Sequence, residues 1–329
     1  LEDIKLYDGT ILQIGDNDSG RLFKPCPTYE KTTVKKAKKN YINLINYNEL
    51  EDSNSYFQEN HLKVDSLIEY AYFILSSKIR SINNKINLET TISEFDFLKS
   101  LFLFEIPKNN FISKKSKVEI NNISKEKINI YLKGVNNDKS KKVIRQYFTI
   151  NDSNFKKELK LIKYEHFGIY IYKSKNTFLV IRAINHKKNP IITGHFHQDQ
   201  LSLEMHIDQK PIIVDPGTYV YTSSKKNREI YRSEKAHFSP ITMNNVHIKE
   251  SYSNVFKMDN LYSSKVSCFS EFGFYGSVLV NNKSIERFVL LRDDCFEVID
   301  IVPAEQLNLD QIQIPYSPGY GIIKVSSNV

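Results

Sequence analysis

The sequence is poor in cysteine. Its three, Cys26, Cys268 and Cys295, are widely spaced and odd in number within 329 residues, which excludes a disulfide framework and any CxxC metal motif; they are read as buried free thiols. Long apolar runs are also missing. No stretch reaches the length of a membrane span, about 18 consecutive apolar residues. The opening LEDIKLYDGT has neither the basic lead nor the apolar stretch of a signal peptide. A start at Leu1 rather than methionine fits a fragment or a processed product, from which a localisation signal would have been lost. No repeat of fixed period is found, and the acidic cluster Asp16-Asn17-Asp18-Ser19 lacks the further ligands and closing Glu of an EF-hand loop.

What is present suffices for folding: 40% hydrophobic residues in a chain long enough for two ordinary domains. The formal net charge of +8 favours a polyanionic partner such as an acidic polysaccharide or nucleic acid. The lysines look diffuse, however, and the richness in Lys, Asn and Ile can follow from genome base composition, so the charge carries little functional weight.

Asp8 to Arg21 reads DGTILQIGDNDSGR, a Gly and Asp/Asn cluster expected to form successive turns facing a cleft. The basic run Lys31 to Lys39 is a solvated loop or helix face. Helical stripes are expected over His61 to Arg80 and Ile92 to Phe104, an αα-hairpin. After Pro107 short segments rich in Ile, Val, Phe and Tyr take over: Lys117 to Ile120, Ile128 to Leu132, Val143 to Ile150, Gly168 to Lys173, Thr177 to Ile184, Pro211 to Val214, Ser239 to Met243, Ser263 to Phe269, Gly276 to Val280, Ser284 to Arg292 and Cys295 to Ile301. The expected architecture is α+β and multidomain. A short helical part at 1–107 precedes a large antiparallel β-sandwich at 108–329, with the boundary between Glu105 and Lys117.

Ionisable residues gather most densely at 194–240, GHFHQDQLSLEMHIDQKPIIVDPGTYVYTSSKKNREIYRSEKAHFSP. Read as one strand, His195 to Ile207 places His195, His197, Asp199, Leu201, Leu203, Met205 and Ile207 on one face, which turns from ionisable to apolar partway along. If the apolar half enters a core, two imidazoles and a carboxylate reach its edge and need a metal or an anionic ligand to satisfy them. His197, Asp215 and His237 suit a tetrahedral zinc site with one open position, two imidazoles and a carboxylate. His195, about 6.5 Å along the strand from His197, either faces a substrate or is a surface histidine. Asp199 either orients a ring nitrogen beyond the metal ligands or caps a turn. Arg232, in YRSEKAH, either clamps a substrate carboxylate or neutralises Asp199 or Asp215. Tyr219 and Tyr221, in GTYVY, alternate onto one face and offer a phenol for proton transfer, a sugar-stacking surface, or packing. His206 and His247 read as ordinary polar residues.

Together GHFHQDQLSLE, PIIVDPGTYVYT and YRSEKAH, in this order and spacing, resemble the C-terminal β-sandwich of the heparinase II/III-like polysaccharide lyases. IGDNDSGR followed by helices resembles the end of that family's (α/α) toroid. The resemblance implies zinc on His197, Asp215 and His237, and His195 at the active site with Arg232 and Tyr219 as further candidates. Where the family usually has Asn-Thr after the AH motif, this chain has Phe238-Ser239, and Gln198 replaces the usual Asn after the second histidine of the pair. The ligands are untouched; substrate contacts by those asparagines are not carried over. The implied reaction is β-elimination on a uronic-acid-containing polysaccharide, with other catalytic groups on toroid sequence upstream of Leu1, so that this chain supplies one wall of the site. The implied compartment is periplasmic or extracellular, with no nucleic-acid partner. A uronate C5-epimerase and a non-catalytic, metal-stabilised carbohydrate-binding module are the alternatives.

Overall fold

A computed structural model describes residues 1–16, 28–42, 49–69, 125–151, 155–185, 195–240, 255–256, 258, 262–280, 282–304 and 314–325. A 3-10 turn at Glu2–Ile4 opens the chain, followed by β1 (Tyr29–Thr33), α1 (Val34–Asn40), β2 (Tyr41–Ile42) and β3 (Ser55–Glu59). The basic run thus spans the end of β1 and most of α1. Thr33 caps α1 by accepting from the Lys36 amide at 3.2 Å, and Val34 and Ala37 bury against Tyr56 of β3, which leaves the lysines outward.

Beyond these come α2 (Lys125–Asn136), β4 (Lys141–Thr149), β5 (Lys160–Tyr164), β6 (Ile169–Lys173), β7 (Phe178–Arg182), β8 (Leu203–Ile207), β9 (Lys210–Ile213), α3 (Lys225–Arg232), β10 (Ser264–Ser270), β11 (Gly273–Val280), β12 (Lys283–Leu291), β13 (Cys295–Pro303) and β14 (Ile323–Lys324). Two five-stranded antiparallel sheets, ordered β10-β11-β12-β13-β4 and β5-β6-β7-β8-β9, form a β-sandwich. Alternate residues of both face one core: Tyr170, Leu179, Leu203 and Met205 from one sheet meet Phe274, Val289, Phe296 and Val298 from the other.

The outer faces are also covered. Leu6 and Leu12 of the N-terminal segment pack on Ile169, Ile171, Phe178 and Val180, while Leu132 and Val135 of α2 pack on Phe288, Leu290, Ile299 and Ile301. Double coverage explains why β7, β12 and β13 read as nearly continuous apolar runs rather than alternating ones. It also ties residues 1–14 to the sheet that carries β8.

Three expectations are corrected. Ile128 to Leu132, expected as a strand, lies inside α2, because a short apolar run carries no decisive period and the three-residue step from Leu132 to Val135 puts both on the face that meets the sheet. His195 to Ile207 is not one strand: only β8 is extended, and His195 and Leu201 have φ of 64° and 60°, which no strand accommodates. The free thiols of Cys268 and Cys295 are half-buried rather than buried. Ser239 and Pro240 are irregular. Of the helix expected over 61–80, residues 61–64 form a turn and a bridge and 65–69 are helical, the rest lying outside the described residues; so do the helix at 92–104, the strand at 117–120, Cys26 and the boundary near 107. No helix among the described residues is long and apolar enough to cross a membrane.

Candidate functional site

The ionisable half of 195–207 forms a chain of turns ahead of β8. The Leu201 amide donates to Arg182 O at 2.6 Å and the Ser202 amide to Asp199 O at 3.0 Å, so the turns close onto the end of β7. The apolar half enters the core as expected: Leu201 and Met205 have no exposed surface. The change from ionisable to apolar side chains is therefore a change of backbone, from turn to strand, and the histidines sit at the sandwich rim.

His197 and His237 meet there, rings stacked with centroids 5.0 Å apart. His237 Nδ1 lies 2.6 Å from Asp215 Oδ2, and Asp215 Oδ1 accepts from the Gly217 amide at 2.8 Å. His197 Nε2 lies 2.8 Å from Asp16 Oδ1. Each ring thus turns one nitrogen to a carboxylate, and the other nitrogens, His197 Nδ1 and His237 Nε2, are buried without a hydrogen-bond partner among the described residues. Burial pushes His197 down from the ordinary histidine value despite Asp16. Burial acts the same way on His237, but the Asp215 carboxylate outweighs it and holds this ring above that value. Two buried imidazole nitrogens left unpaired are the donor type that a borderline-soft cation takes. No trio of His, Cys, Asp or Glu among the described residues is already drawn together as a cage; Asp215 is turned toward His237 Nδ1 instead.

His195 differs from both. Its side chain is 59% exposed, and Nδ1 lies 3.2 Å from Asp16 Oδ2. Tyr221 stands edge-on to its ring at 6.2 Å. Asp16, fully enclosed, receives Arg228 in two-pronged fashion, NH2 donating to Oδ2 at 2.7 Å and NH1 to Oδ1. Burial would raise its carboxyl, yet His197 and Arg228 overcome that and hold it below the ordinary value. Arg228 also donates from Nε to Val255 O at 3.1 Å and lies 4.8 Å over the Tyr221 ring.

The remaining expected residues take other positions. Arg232 is fully buried one turn beyond Arg228 on α3 and donates to Val255 O at 3.1 Å; with no exposed surface it presents no face to a polymer. Tyr219, with φ of 60°, packs tilted against Tyr231, ring centroids 5.2 Å apart, so it and Tyr221 do not share a face. Asp199 receives Arg182 Nε at 3.3 Å. His206 is buried on β8, and His247 lies outside the described residues. Sequence reading did not single out Arg228, although NREIYR places it four residues before Arg232 on one helix, and it saw Asp16 as part of an ordered turn or, less favoured, a cation-lining cluster, not as a partner of the histidines.

Residues 157–267 match the family described as heparinase II/III-like, C-terminal. This segment, about a third of the chain, carries the likeness to that family. The heparinase II/III-like segment contains every site residue above except Asp16. Among solved structures, the heparinase III BT4657 gene product aligns with a TM-score of 0.32 at 16% identity, covering 44% of this chain and 22% of its own. Heparan sulfate lyase HepC from Pedobacter heparinus aligns with a TM-score of 0.30 at 18% identity, covering 43% and 21%. The aligned part thus spans about a fifth of those proteins' length. Comparison with curated proteins gives no match.

Proposed function

We propose that this chain forms one wall of a polysaccharide lyase site that cleaves a uronic-acid-containing polysaccharide by β-elimination. The observation that carries this reading is the exposed His195, tied through Nδ1 to the buried Asp16, at the rim of a heparinase II/III-like sandwich. In β-elimination the proton at C5 of the uronate is removed, the bond from C4 to the glycosidic oxygen breaks, a C4–C5 double bond forms, and the departing oxygen takes a proton. A histidine held at one nitrogen by a carboxylate is suited to one of these transfers through the other. Tyr221 flanks its ring and, with the guanidinium of Arg228 against it, lines the inner side.

The same reading assigns a zinc ion to His197, Asp215 and His237, with His197 Nδ1 and His237 Nε2 as the nitrogens available. When bound, zinc would supply positive charge and crosslink the turn before β8, the end of β9 and the segment after α3. Proton and metal compete for His237, whose charged form Asp215 favours.

The test is incubation of the full chain with heparan sulfate, hyaluronan and alginate, following the ultraviolet absorbance of unsaturated uronate and the configuration at C5. Unsaturated oligosaccharides are the expected product. Inversion at C5 without cleavage would replace the lyase with an epimerase; retained binding to an unchanged polymer would leave a carbohydrate-binding module.

A further inference from the structure

Asp16 lies outside the heparinase II/III-like segment, on a part of the chain separated from His195 by nearly two hundred residues, yet its carboxylate meets His195, His197 and Arg228 of the site's inner wall. Oδ1 takes His197 Nε2 at 2.8 Å together with Arg228 NH1. Oδ2 takes Arg228 NH2 at 2.7 Å, and His195 Nδ1 lies 3.2 Å from it. Three hydrogen bonds thus reach a carboxylate with about four lone-pair positions, and His195 Nδ1 is a fourth nitrogen within 3.2 Å. Arg228, itself fully buried, fixes the plane of the carboxylate through its two-pronged grip. The backbone is held as firmly: the Asp16 amide donates to His195 O at 3.1 Å, and Thr218 Oγ1 donates to Gly15 O at 3.3 Å. Gly15 has φ of 64°, and a Cβ there would stand 2.6 Å from His195 O, so no other residue allows this approach without displacement.

We propose that Asp16 is a positioning residue that sets the rings of His195 and His197 together, so that the proton-transfer group and the metal-binding group share one rigid anchor. The inference rests on the lyase and zinc assignments above and extends them to a residue of the N-terminal segment. With Nδ1 of His195 engaged by Asp16, Nε2 is the nitrogen left to meet a substrate. With Nε2 of His197 engaged, Nδ1 is the nitrogen left for the cation. A carboxylate behind a metal-binding histidine is a known device for fixing ring orientation; here one carboxylate serves two rings with different tasks.

The experiment compares wild type, Asp16→Asn and the double variant Asp16→Asn/Arg228→Gln. The double variant removes the buried guanidinium that the single one leaves uncompensated, and so separates positioning from folding. Three quantities are read: thermal midpoint, zinc dissociation constant by competition with a chromogenic chelator, and kcat and KM on the cleaved polymer at saturating zinc. Expected for Asp16→Asn is a kcat about 10- to 100-fold lower with KM little changed, and zinc bound about 10- to 100-fold more weakly. The double variant is expected to regain thermal stability without regaining either. Recovery of turnover and zinc affinity along with stability would overturn the proposal, because Asp16 would then serve only the fold; so would an Asp16→Asn variant unchanged in both. If wild type cleaves no polymer, the lyase reading fails by itself, and the zinc constants together with the ring NMR signals of His195 still decide the role of Asp16.

Discussion

His195 and His197 are two residues apart and live in opposite surroundings. One side chain is 59% exposed and the other 1%, yet both lean on the same carboxylate. Their substitutions should therefore separate cleanly. His195→Ala is expected to keep its zinc and lower kcat by about 100-fold or more, the usual scale of a proton-transfer group. His197→Ala, Asp215→Ala and His237→Ala are each expected to lower zinc content, measured by atomic emission on protein purified without chelator, and to lower thermal stability. Zinc retained at the wild-type level in all three would remove the metal assignment.

A second residue-scale prediction concerns Glu204, enclosed on β8. Burial first, and the nearby Asp215 second, hold its carboxyl well above the ordinary value of 4.5. Above that pH the unfolded chain releases a proton that the folded chain keeps. Stability from this group is therefore full in acid and is lost as pH rises, by at most about 1.4 kcal/mol per pH unit. Glu204→Gln has no such proton. Urea unfolding from about pH 5 to about pH 8 should show the variant gaining on wild type as pH rises; parallel curves would contradict the argument.

At the scale of elements, β12 reaches across the sandwich to hold the site loops. Arg287 pairs with Asp300 of β13 through two contacts of 2.6 Å and sends NH1 to Leu201 O at 2.7 Å and Phe238 O at 2.5 Å. Those carbonyls belong to the turn before β8 and to the residue after His237. Arg287→Ala leaves Asp300 buried without its partner and should cost about 3–5 kcal/mol, read by chemical denaturation. The Arg287→Ala/Asp300→Ala pair should cost less than the sum of the two single changes. Additive losses would mean the pair is not coupled.

Over the whole molecule, two sheets with covered outer faces build a rigid frame, and the N-terminal segment, lying on the β5–β9 sheet through Leu6 and Leu12, carries Asp16 to the rim. The net charge of +8 is diffuse, so it should add no more than a weak, salt-sensitive attraction to a polyanionic substrate. The KM for an acidic polymer is expected to rise as salt increases from about 0.05 M to about 0.5 M, where the screening length falls below about 10 Å. A neutral glycan should show no such dependence; equal responses would separate the charge from binding.

The β-sandwich was legible because β6, β7, β12 and β13 are rich in β-branched and aromatic residues, and local composition alone marks such segments. His197, Asp215 and His237 could be named because each sits beside a short motif, HxH, DPGT and AH. The sequence by itself thus determined an apolar repertoire that must close into sheets and the residue types available at their ends. Only the tertiary structure decided that the turns before β8 break the strand, that Tyr221 rather than Tyr219 flanks His195, that Arg232 is enclosed, and that Asp16 joins two histidines. Those outcomes depend on contacts between residues far apart in the chain, where a carboxylate's acceptor positions are filled by whichever donors the fold brings within reach, and no local pattern records that choice.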